Sequence, residues 1–256
     1  MASKNLWTRQ QLLIAFSLYC RLPFGKLHSH NPEIIKYAQL IGRTPSALAM
    51  KLTNIASIDP VITSTGRKGL KGASKKDRQL WDEMQSNWEN FVINSEQAIL
   101  EAESQLEIMK QKADLDLKEE DYSADNIVTQ TKARLGQSFF RKSVLSAYNE
   151  KCCITGLSIP RLLVASHIVP WSIDKSNRLN PRNGLLLSML HDKAFDIGIM
   201  TINKDMTVRV SQKEKNNDDF FMSALQAYNG KAIFLPEKFQ PYEEFLSYHR
   251  HNIFEH

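Results

Sequence analysis

The segment that decides the fold lies between residues 152 and 198 and reads CCITG (152–156), LLVASHIVPW (162–171) and RNGLLLSMLHDKAFDIG (182–198). Its second and third pieces each contain a short apolar run, which is typical of a buried β-strand. The third piece then continues into a pattern typical of a helix. The order is therefore strand, loop, strand and helix. His167 follows the first strand, Asn183 precedes the second, and His191 begins the helix.

This order of residues resembles the HNH nucleases, whose ββα-metal site cuts nucleic-acid backbones with one divalent ion. The resemblance is closest to a subgroup found in restriction endonucleases, and it covers nearly all of residues 134–256. The motifs that carry it are RLGQSFFR (134–141), CITG (153–156), ASHIVPW (165–171), NGLLL (183–187), HDKAFDIG (191–198) and YHR (248–250). It implies an α+β fold with a C-terminal ββα-metal nuclease domain.

The resemblance assigns a role to each of three residues. His167 at the end of a strand corresponds to the general base, and imidazole suits proton removal because its unperturbed pKa lies near neutrality. Asn183 corresponds to the asparagine that supports the loop and orients the base, and in some members binds the metal. His191 corresponds to the metal-binding histidine. A ring nitrogen suits Mn²⁺ or Ni²⁺, and Mg²⁺ serves if waters and phosphate oxygens complete its shell.

The chain departs from the common HNH pattern in two places. Ser166 stands where many members carry an aspartate that binds the metal, so the second protein ligand stays open. Asp196 is a candidate, but its spacing of five from His191 favours a structural role beside the FDIG turn. Adjacent Cys152 and Cys153 cannot supply the two CxxC pairs of a structural zinc, so we predict no such zinc.

Charge divides the chain into three parts. Residues 1–82 carry 13 Lys/Arg against 4 Asp/Glu, residues 83–125 carry 3 against 12, and residues 126–256 carry 17 against 12. This pattern predicts a basic helical domain, an acidic helical connector and a mildly basic nuclease domain. Residues 80–113 have helical periodicity, which suggests one long connecting helix.

The first part has the outline of a DNA-recognition domain. Helical runs begin after Thr8, Asn31 and Thr44, and Gly42 lies in the turn between the second and third runs. Helix, short turn and helix are typical of a helix-turn-helix, although many trihelical domains share the outline without binding DNA. The loop at residues 66–78 adds six Lys/Arg. The DNA contacts that we predict in this part are Arg43, Lys51, Arg67 and Lys68.

A second set of phosphate contacts is expected on the helix before the ββα segment. Arg134, Gln137 and Arg141 are spaced by one or two helical turns, so they could reach phosphates together. Exposure to solvent on the helix surface is the alternative explanation for these residues.

Composition limits the setting in which the protein acts. Hydrophobic content of 42% and charged content of 24% are ordinary for a globular protein, and no apolar run approaches the length of a membrane span. The first residues lack the apolar core of a signal peptide, and three cysteines do not make a disulfide framework. We therefore expect a cytoplasmic protein without membrane partners.

These observations predict a metal-dependent endonuclease that acts on double-stranded DNA. By resemblance it is a prokaryotic restriction or defence enzyme, with modified or foreign DNA as one target. Two other functions stay open: a DNA-binding regulator whose HNH domain has lost cleavage, which Ser166 favours, and a homing or mobile-element nuclease. Double-strand cleavage by a one-metal site often requires two protomers, so a homodimer is also an expectation.

Overall fold

The computed structural model describes residues 6–66, 69–70, 72–113, 127–213 and 218–255. Packing divides the chain into two units, Met1–Phe139 and Phe140–His256. The described part of the first unit is helical, and the second combines helices with two small antiparallel sheets. The mixture of helix and sheet that the sequence predicts is therefore confirmed.

The helices before the first strand are α1 Arg9–Arg21, α2 Pro32–Leu40, α3 Pro45–Ala56, α4 Pro60–Ser64, α5 Lys75–Ser86, α6 Trp88–Ala113 and α7 Ile127–Ala147. The elements that follow are β1 Leu163–His167, β2 Gly184–Ser188, α8 Met189–Asp196, β3 Met200–Ile202, β4 Val208–Val210, α9 Asp219–Ala224 and α10 Glu243–Asn252.

The first three helices begin at the residues that the sequence suggests. The side chains of Thr8, Asn31 and Thr44 each accept a hydrogen bond from a backbone N–H of the following first turn. A cap of this kind satisfies a donor that the helix itself leaves unpaired. Gly42 lies between α2 and α3 with a φ of +64°, a conformation that glycine adopts without a steric penalty. In the first unit, α2, the turn at Gly42 and α3 thus follow one another directly.

The expected long helix over residues 80–113 is instead two helices. The break falls at Asn87, whose side-chain oxygen accepts the N–H of Asn90 at 2.8 Å and so caps α6. Asparagine favours such caps over helix interiors, and hydrophobic periodicity alone does not register this preference. α6 packs against α1, with Trp88 and Phe91 buried. α6 therefore packs within the first unit, and the acidic connector over residues 83–125 stays a prediction.

The second unit is organised around the hairpin of β1 and β2. The two strands pair antiparallel, with Leu163 opposite Ser188 and His167 opposite Gly184. Ser188 ends β2 and caps α8, because its side chain accepts the backbone N–H of His191. Strand, strand and helix therefore follow one another directly, and β1 ends at His167.

The remaining elements of the second unit extend this core. β3 and β4 form a hairpin, closed by a turn in which the Asn203 N–H donates to the Thr207 carbonyl at 2.8 Å. Residues 231–236 contribute one bridge, between Ala232 and Thr207. Within the described residues, no helix has both the length and the apolar character needed to cross a membrane.

Candidate active site

His167 is held on three sides within the second unit. Its ring stacks on Phe140, with centroids 3.9 Å apart and planes 9° apart, and meets the edge of Trp171 at 5.4 Å. Nε2 lies 2.9 Å from the main-chain carbonyl of Arg178. A carbonyl can only accept, so Nε2 carries the proton in the neutral ring and Nδ1 keeps its lone pair. The ring is therefore fixed in orientation and in tautomer.

The surroundings of His167 keep its ring neutral. Burial lowers the pKa of the imidazole below its usual value, and the hydrogen bond to the Arg178 carbonyl only partly opposes this effect. A neutral imidazole with an available lone pair is the form that can remove a proton from water near pH 7.

Asn183 supports the loop that follows His167. The residue is fully buried, and its Oδ1 accepts the Val169 N–H at 2.8 Å. Its Nδ2 donates to the Val169 carbonyl at 3.1 Å. One amide thus pairs with both main-chain groups of a residue two positions after the histidine. These bonds support the orienting role expected for Asn183 and leave its side chain little capacity to bind a metal.

His167 faces a cavity of about 450 Å³ between β1, α8 and α10. The residues that line it are Val164, Ala165, Ser166, His167, Pro170, Trp171, Asp192, Asp196, His249 and Ile253. The carboxylates of Asp192 and Asp196 and the imidazoles of His167 and His249 therefore share one cavity. An in-line attack on a phosphodiester requires groups of these types near one another.

Asp192 and Asp196 bring negative charge to the α8 side of this cavity. They are four residues apart, so their side chains are neighbours on one face of the helix. Burial raises the pKa of both carboxyls above the usual value, and the charge of Asp192 further raises the pKa of Asp196. Lys193 acts in the opposite direction on both. Two neighbouring carboxylates on one helix face make a local environment that attracts a cation.

His191 does not line this cavity, and its expected role as metal ligand stays a prediction. Its side chain is buried, with 3% exposure, and Nδ1 lies 2.7 Å from the Ser188 hydroxyl. The ring meets Tyr228 edge-on at 5.3 Å. Burial lowers the pKa of this imidazole, and the main-chain carbonyl of Ala224 opposes the effect. His191 is absent from the cavity lining, because consecutive residues of a helix point about 100° apart.

Asp196, for which the sequence favoured a structural role beside the FDIG turn, lies in the cavity lining. Asp196 does point away from His191, as its separation of five residues suggested, but it points into the cavity with His167. Asp192 was not among the predicted site residues. Its spacing of four residues to Asp196, which places both on one helix face, is the signal that could have identified it.

Ser166 also lines the cavity, at the position before the base. The residue is 2% exposed, and its hydroxyl makes no hydrogen bond of regular geometry. It lies near enough to the Asp192 carboxylate to lower the pKa of that group, against the larger effect of burial. In the described part of the chain, no three His, Cys, Asp or Glu side chains are close enough together to hold a metal ion by themselves.

His249 is a cavity residue to which the sequence assigned no role, although it lies in the late YHR motif. Its Nε2 lies 3.0 Å from the Phe195 carbonyl and its Nδ1 lies 2.9 Å from the Thr201 hydroxyl. The ring stacks on Phe195 with centroids 3.6 Å apart. Burial lowers the pKa of His249 to about 4. With both nitrogens engaged, the ring joins α10 to α8 and β3 as a structural element.

Cys152 and Cys153 are buried free thiols beside β2. The Cys153 N–H donates to the Leu186 carbonyl at 2.8 Å, and the Cys152 sulfur accepts the Ser188 N–H at 3.3 Å. Burial and the neighbouring Cys152 raise the pKa of the Cys153 thiol well above its usual value. These contacts give both cysteines a packing role.

Two of the predicted DNA contacts in the first unit have internal partners. The Lys51 ammonium lies 3.0 and 2.9 Å from the two carboxylate oxygens of Asp77, and Lys51 is 7% exposed. Extracting one member of a buried pair is strongly unfavourable, so we withdraw Lys51 from the phosphate contacts. The Arg43 guanidinium donates to the Leu6 carbonyl and to the Gln11 side chain, at 2.8 and 2.9 Å.

The other predicted contacts differ in their surroundings. Arg134 and Gln137 are exposed on α7. Arg141 donates to the main-chain carbonyls of Leu163 and Pro160, at 2.9 and 3.0 Å, so its guanidinium holds the entry to β1. Arg67 and Lys68 lie outside the described residues.

The ββα arrangement around His167 lies within a stretch of the chain that matches a known family. Residues 152–203 match a family model described as HNH endonuclease. We call these matched residues the HNH segment. This HNH segment runs from the paired cysteines through β1, β2 and α8 to β3, and it includes His167, Asn183 and Asp192. A comparison with curated proteins gave no match.

Proposed function

We propose that this protein is a DNA endonuclease that hydrolyses phosphodiester bonds with His167 as general base and one divalent cation. The single observation that carries the proposal is the pairing of His167 Nε2 with the Arg178 carbonyl inside the HNH segment. That hydrogen bond leaves Nδ1 as the basic nitrogen of a ring that borders a cavity with two carboxylates.

His167 would remove a proton from the attacking water. Phe140 and Trp171 restrict its ring from two directions, so the base is oriented before DNA arrives. Orientation of this kind lowers the barrier because little reorganisation is needed at the moment of reaction. Asn183 acts through the loop and is a positioning residue in this proposal.

The residues of the cavity fit a divalent cation. Asp192 and Asp196 present carboxylate oxygens from one helix face, and such oxygens are the ligands that Mg²⁺ and Mn²⁺ prefer. Small hard cations commonly bind one or two carboxylates and complete their shell with water and substrate phosphate. We propose that Asp192 and Asp196 hold the ion. When bound, it would neutralise charge that builds on the phosphate.

We propose that the first unit contacts the DNA. Its α2, Gly42 turn and α3 have the helix-turn-helix outline, and residues 66–78 add positive charge directly after α4. Arg67 and Lys68 stay in the proposed contact set together with exposed Arg134 and Gln137. A restriction or defence role, with modified or foreign DNA as target, is the biological setting that we propose from the family resemblance.

One observation favours a second candidate function. Ser166 takes the place of an aspartate that binds metal in many HNH nucleases, and loss of that ligand would suit a DNA-binding regulator without cleavage. The carboxylates of Asp192 and Asp196 in the same cavity favour the enzyme, because a regulator has no need of them.

Plasmid cleavage separates the two functions. The protein is incubated with supercoiled plasmid and with methylated or phage DNA, in Mg²⁺, Mn²⁺ or Ni²⁺ and in EDTA. We expect nicked or linear product that depends on the cation and is lost in EDTA. Binding without cutting of any substrate would support the regulator. Sedimentation with and without DNA tests the proposed homodimer.

A further inference from the structure

The loop between His167 and β2 contains a continuous chain of side-chain hydrogen bonds. Asp174 Oδ2 accepts from Asn177 Nδ2 at 2.8 Å, and Asn177 Oδ1 accepts from Asn180 Nδ2 at 3.0 Å. Asn180 Oδ1 then accepts the backbone N–H of Arg182 at 3.0 Å. This Asp174–Asn177–Asn180 chain spans the loop from its outer turn to the start of β2.

The donors and acceptors of the Asp174–Asn177–Asn180 chain can be arranged in one way only, because backbone N–H groups at its two ends require acceptors. Asn180 must turn its oxygen to the Arg182 N–H, so its Nδ2 faces Asn177. Asn177 must then present Oδ1 to Asn180 and Nδ2 to Asp174. Asp174 Oδ1 already accepts the N–H groups of Ser176 and Asn177. Only a carboxylate offers an acceptor at both of its atoms, so the pattern requires aspartate at residue 174.

The middle member of the Asp174–Asn177–Asn180 chain lies next to the carbonyl that fixes the base. Asn177 directly precedes Arg178, whose carbonyl accepts from His167 Nε2. The Asn177 carbonyl also accepts from Asn183 Nδ2 at 3.4 Å and from the Asn180 N–H at 3.1 Å. The Asn177 carbonyl is therefore held by Asn180 and Asn183, and the next main-chain carbonyl, that of Arg178, accepts from the base.

The same loop reaches His167 from its other end. Trp171 meets the imidazole edge-on, and the Arg178 guanidinium lies 5.2 Å from the centre of the Trp171 ring. Contacts at both ends of the loop thus converge on one imidazole. A loop closed by fixed hydrogen bonds can hold a catalytic group more precisely than a loop without them.

We propose that Asp174 and Asn177 are positioning residues that hold the Arg178 carbonyl, and through it the Nε2–H tautomer of His167. The inference rests on the proposed function, because it assigns these residues a role in the same reaction. Neither side chain is among the residues that line the cavity with His167. Their effect on cleavage would therefore act through the base and leave DNA binding unchanged.

Exchange of the two residues provides the decisive variant. In Asp174→Asn alone, the new NH₂ group would face the NH₂ group of Asn177, with no acceptor between them. In Asn177→Asp alone, the new carboxylate would face the carboxylate of Asp174, with no donor between them. In the double variant, Asn at residue 174 can donate to Asp at residue 177, whose second oxygen still accepts from Asn180. Ser176→Ala is the matched control, because Ser176 is exposed in the same loop and contributes only its backbone N–H.

Single-turnover cleavage and histidine ¹⁵N NMR are measured on the full chain for each variant. We expect each single substitution to lower the cleavage rate constant ~10- to 100-fold with unchanged DNA affinity. The single variants should show a mixture of His167 tautomers, and the double variant should recover both the rate and the Nε2–H tautomer. The Ser176→Ala control should match wild type in both measurements.

Two results would overturn the inference. One is wild-type rate and tautomer in both single variants. The other is a loss of rate that the double variant does not recover, with the His167 tautomer unchanged throughout. If the wild type cuts no DNA, the proposed function fails, whereas the tautomer measurement still tests the role of the loop. Thermal unfolding identifies any single variant that fails to fold. In that case the rate and the His167 tautomer of the double variant decide whether the inference holds.

Discussion

The ring of His167 stacks on Phe140 with centroids 3.9 Å apart, and Gly184 lies against the same Phe140 ring. A Cβ at residue 184 would lie 2.9 Å from Phe140 Cζ and 2.6 Å from a Val144 methyl carbon. Residue 184 is also the strand partner of His167. The glycine therefore allows the aromatic ring and the base to pack against the start of β2.

Gly184→Ala should consequently disturb the base as well as the core. We expect a loss of ~1–3 kcal/mol in the free energy of unfolding, because Phe140 and Val144 are buried and must shift. The cleavage rate should fall by more than the added fraction of unfolded protein accounts for, since the Phe140 ring supports His167. Urea unfolding and plasmid nicking measure the two effects. Gly25→Ala, at a site with open space around the added methyl group, should change neither.

Binding of the cation should depend on Asp192 and Asp196 and should not depend on His191. Titration of the protein with Mn²⁺, followed by the electron paramagnetic resonance of the free ion, measures binding without cleavage. We expect Asp192→Asn and Asp196→Asn to weaken Mn²⁺ binding by ~10-fold or more, as removal of a charged ligand should. His191→Gln should keep wild-type affinity. Loss of binding in His191→Gln alone, with its fold intact by circular dichroism, would restore the histidine as the ligand.

His249 should make the protein less stable in mild acid. Its pKa is lowered from 6.5 to about 4 in the folded chain, so both states are neutral above pH 6.5. As pH falls from about 6.5 towards 4, the unfolded state binds the proton more readily, and the free energy of unfolding declines by roughly 3 kcal/mol. The contribution of the neutral His249 ring to the free energy of unfolding is thus present at neutral pH and lost in acid.

Urea unfolding at pH 7 and pH 5 tests this dependence on His249. The His249→Gln variant should lose less stability than the wild type between these two pH values. An equal loss in both proteins would remove His249 as the cause.

Arg67 and Lys68 should contribute to binding through phosphate contacts. Each phosphate contact adds about 0.9 to the slope of log affinity against log salt, so Arg67→Gln/Lys68→Gln should lower that slope by about 2. Fluorescence anisotropy with a DNA duplex across a salt series gives the slope. Lys26→Gln, an exposed lysine outside the proposed contact set, is the control. An unchanged slope in the double variant would exclude the two residues from the DNA contact.

The elements nearest the base were predictable because their signals are local. Apolar runs of strand length flank His167 and Asn183, and the capping residue Thr44 with Pro45 marks the start of α3. Such signals depend on neighbouring residues only. The place of His167 at the end of β1 follows from them directly.

The residues of the cavity were harder to predict because they depend on rotation about α8 and on contacts distant in sequence. One helix step separates His191 from Asp192, and only the packed structure shows which of the two faces β1. His249 reaches the same cavity from α10, more than 80 residues after His167. The buried pairing of Lys51 with Asp77 is likewise a tertiary contact that charge counts along the chain do not reveal.

The most direct test of the account compares wild type with His167→Ala in plasmid nicking with Mn²⁺, together with DNA affinity in Ca²⁺. We predict that the variant binds DNA as tightly as wild type and cuts it ~10²- to 10⁴-fold more slowly, as loss of a general base requires. Cutting by His167→Ala at the wild-type rate would contradict the assignment of the base.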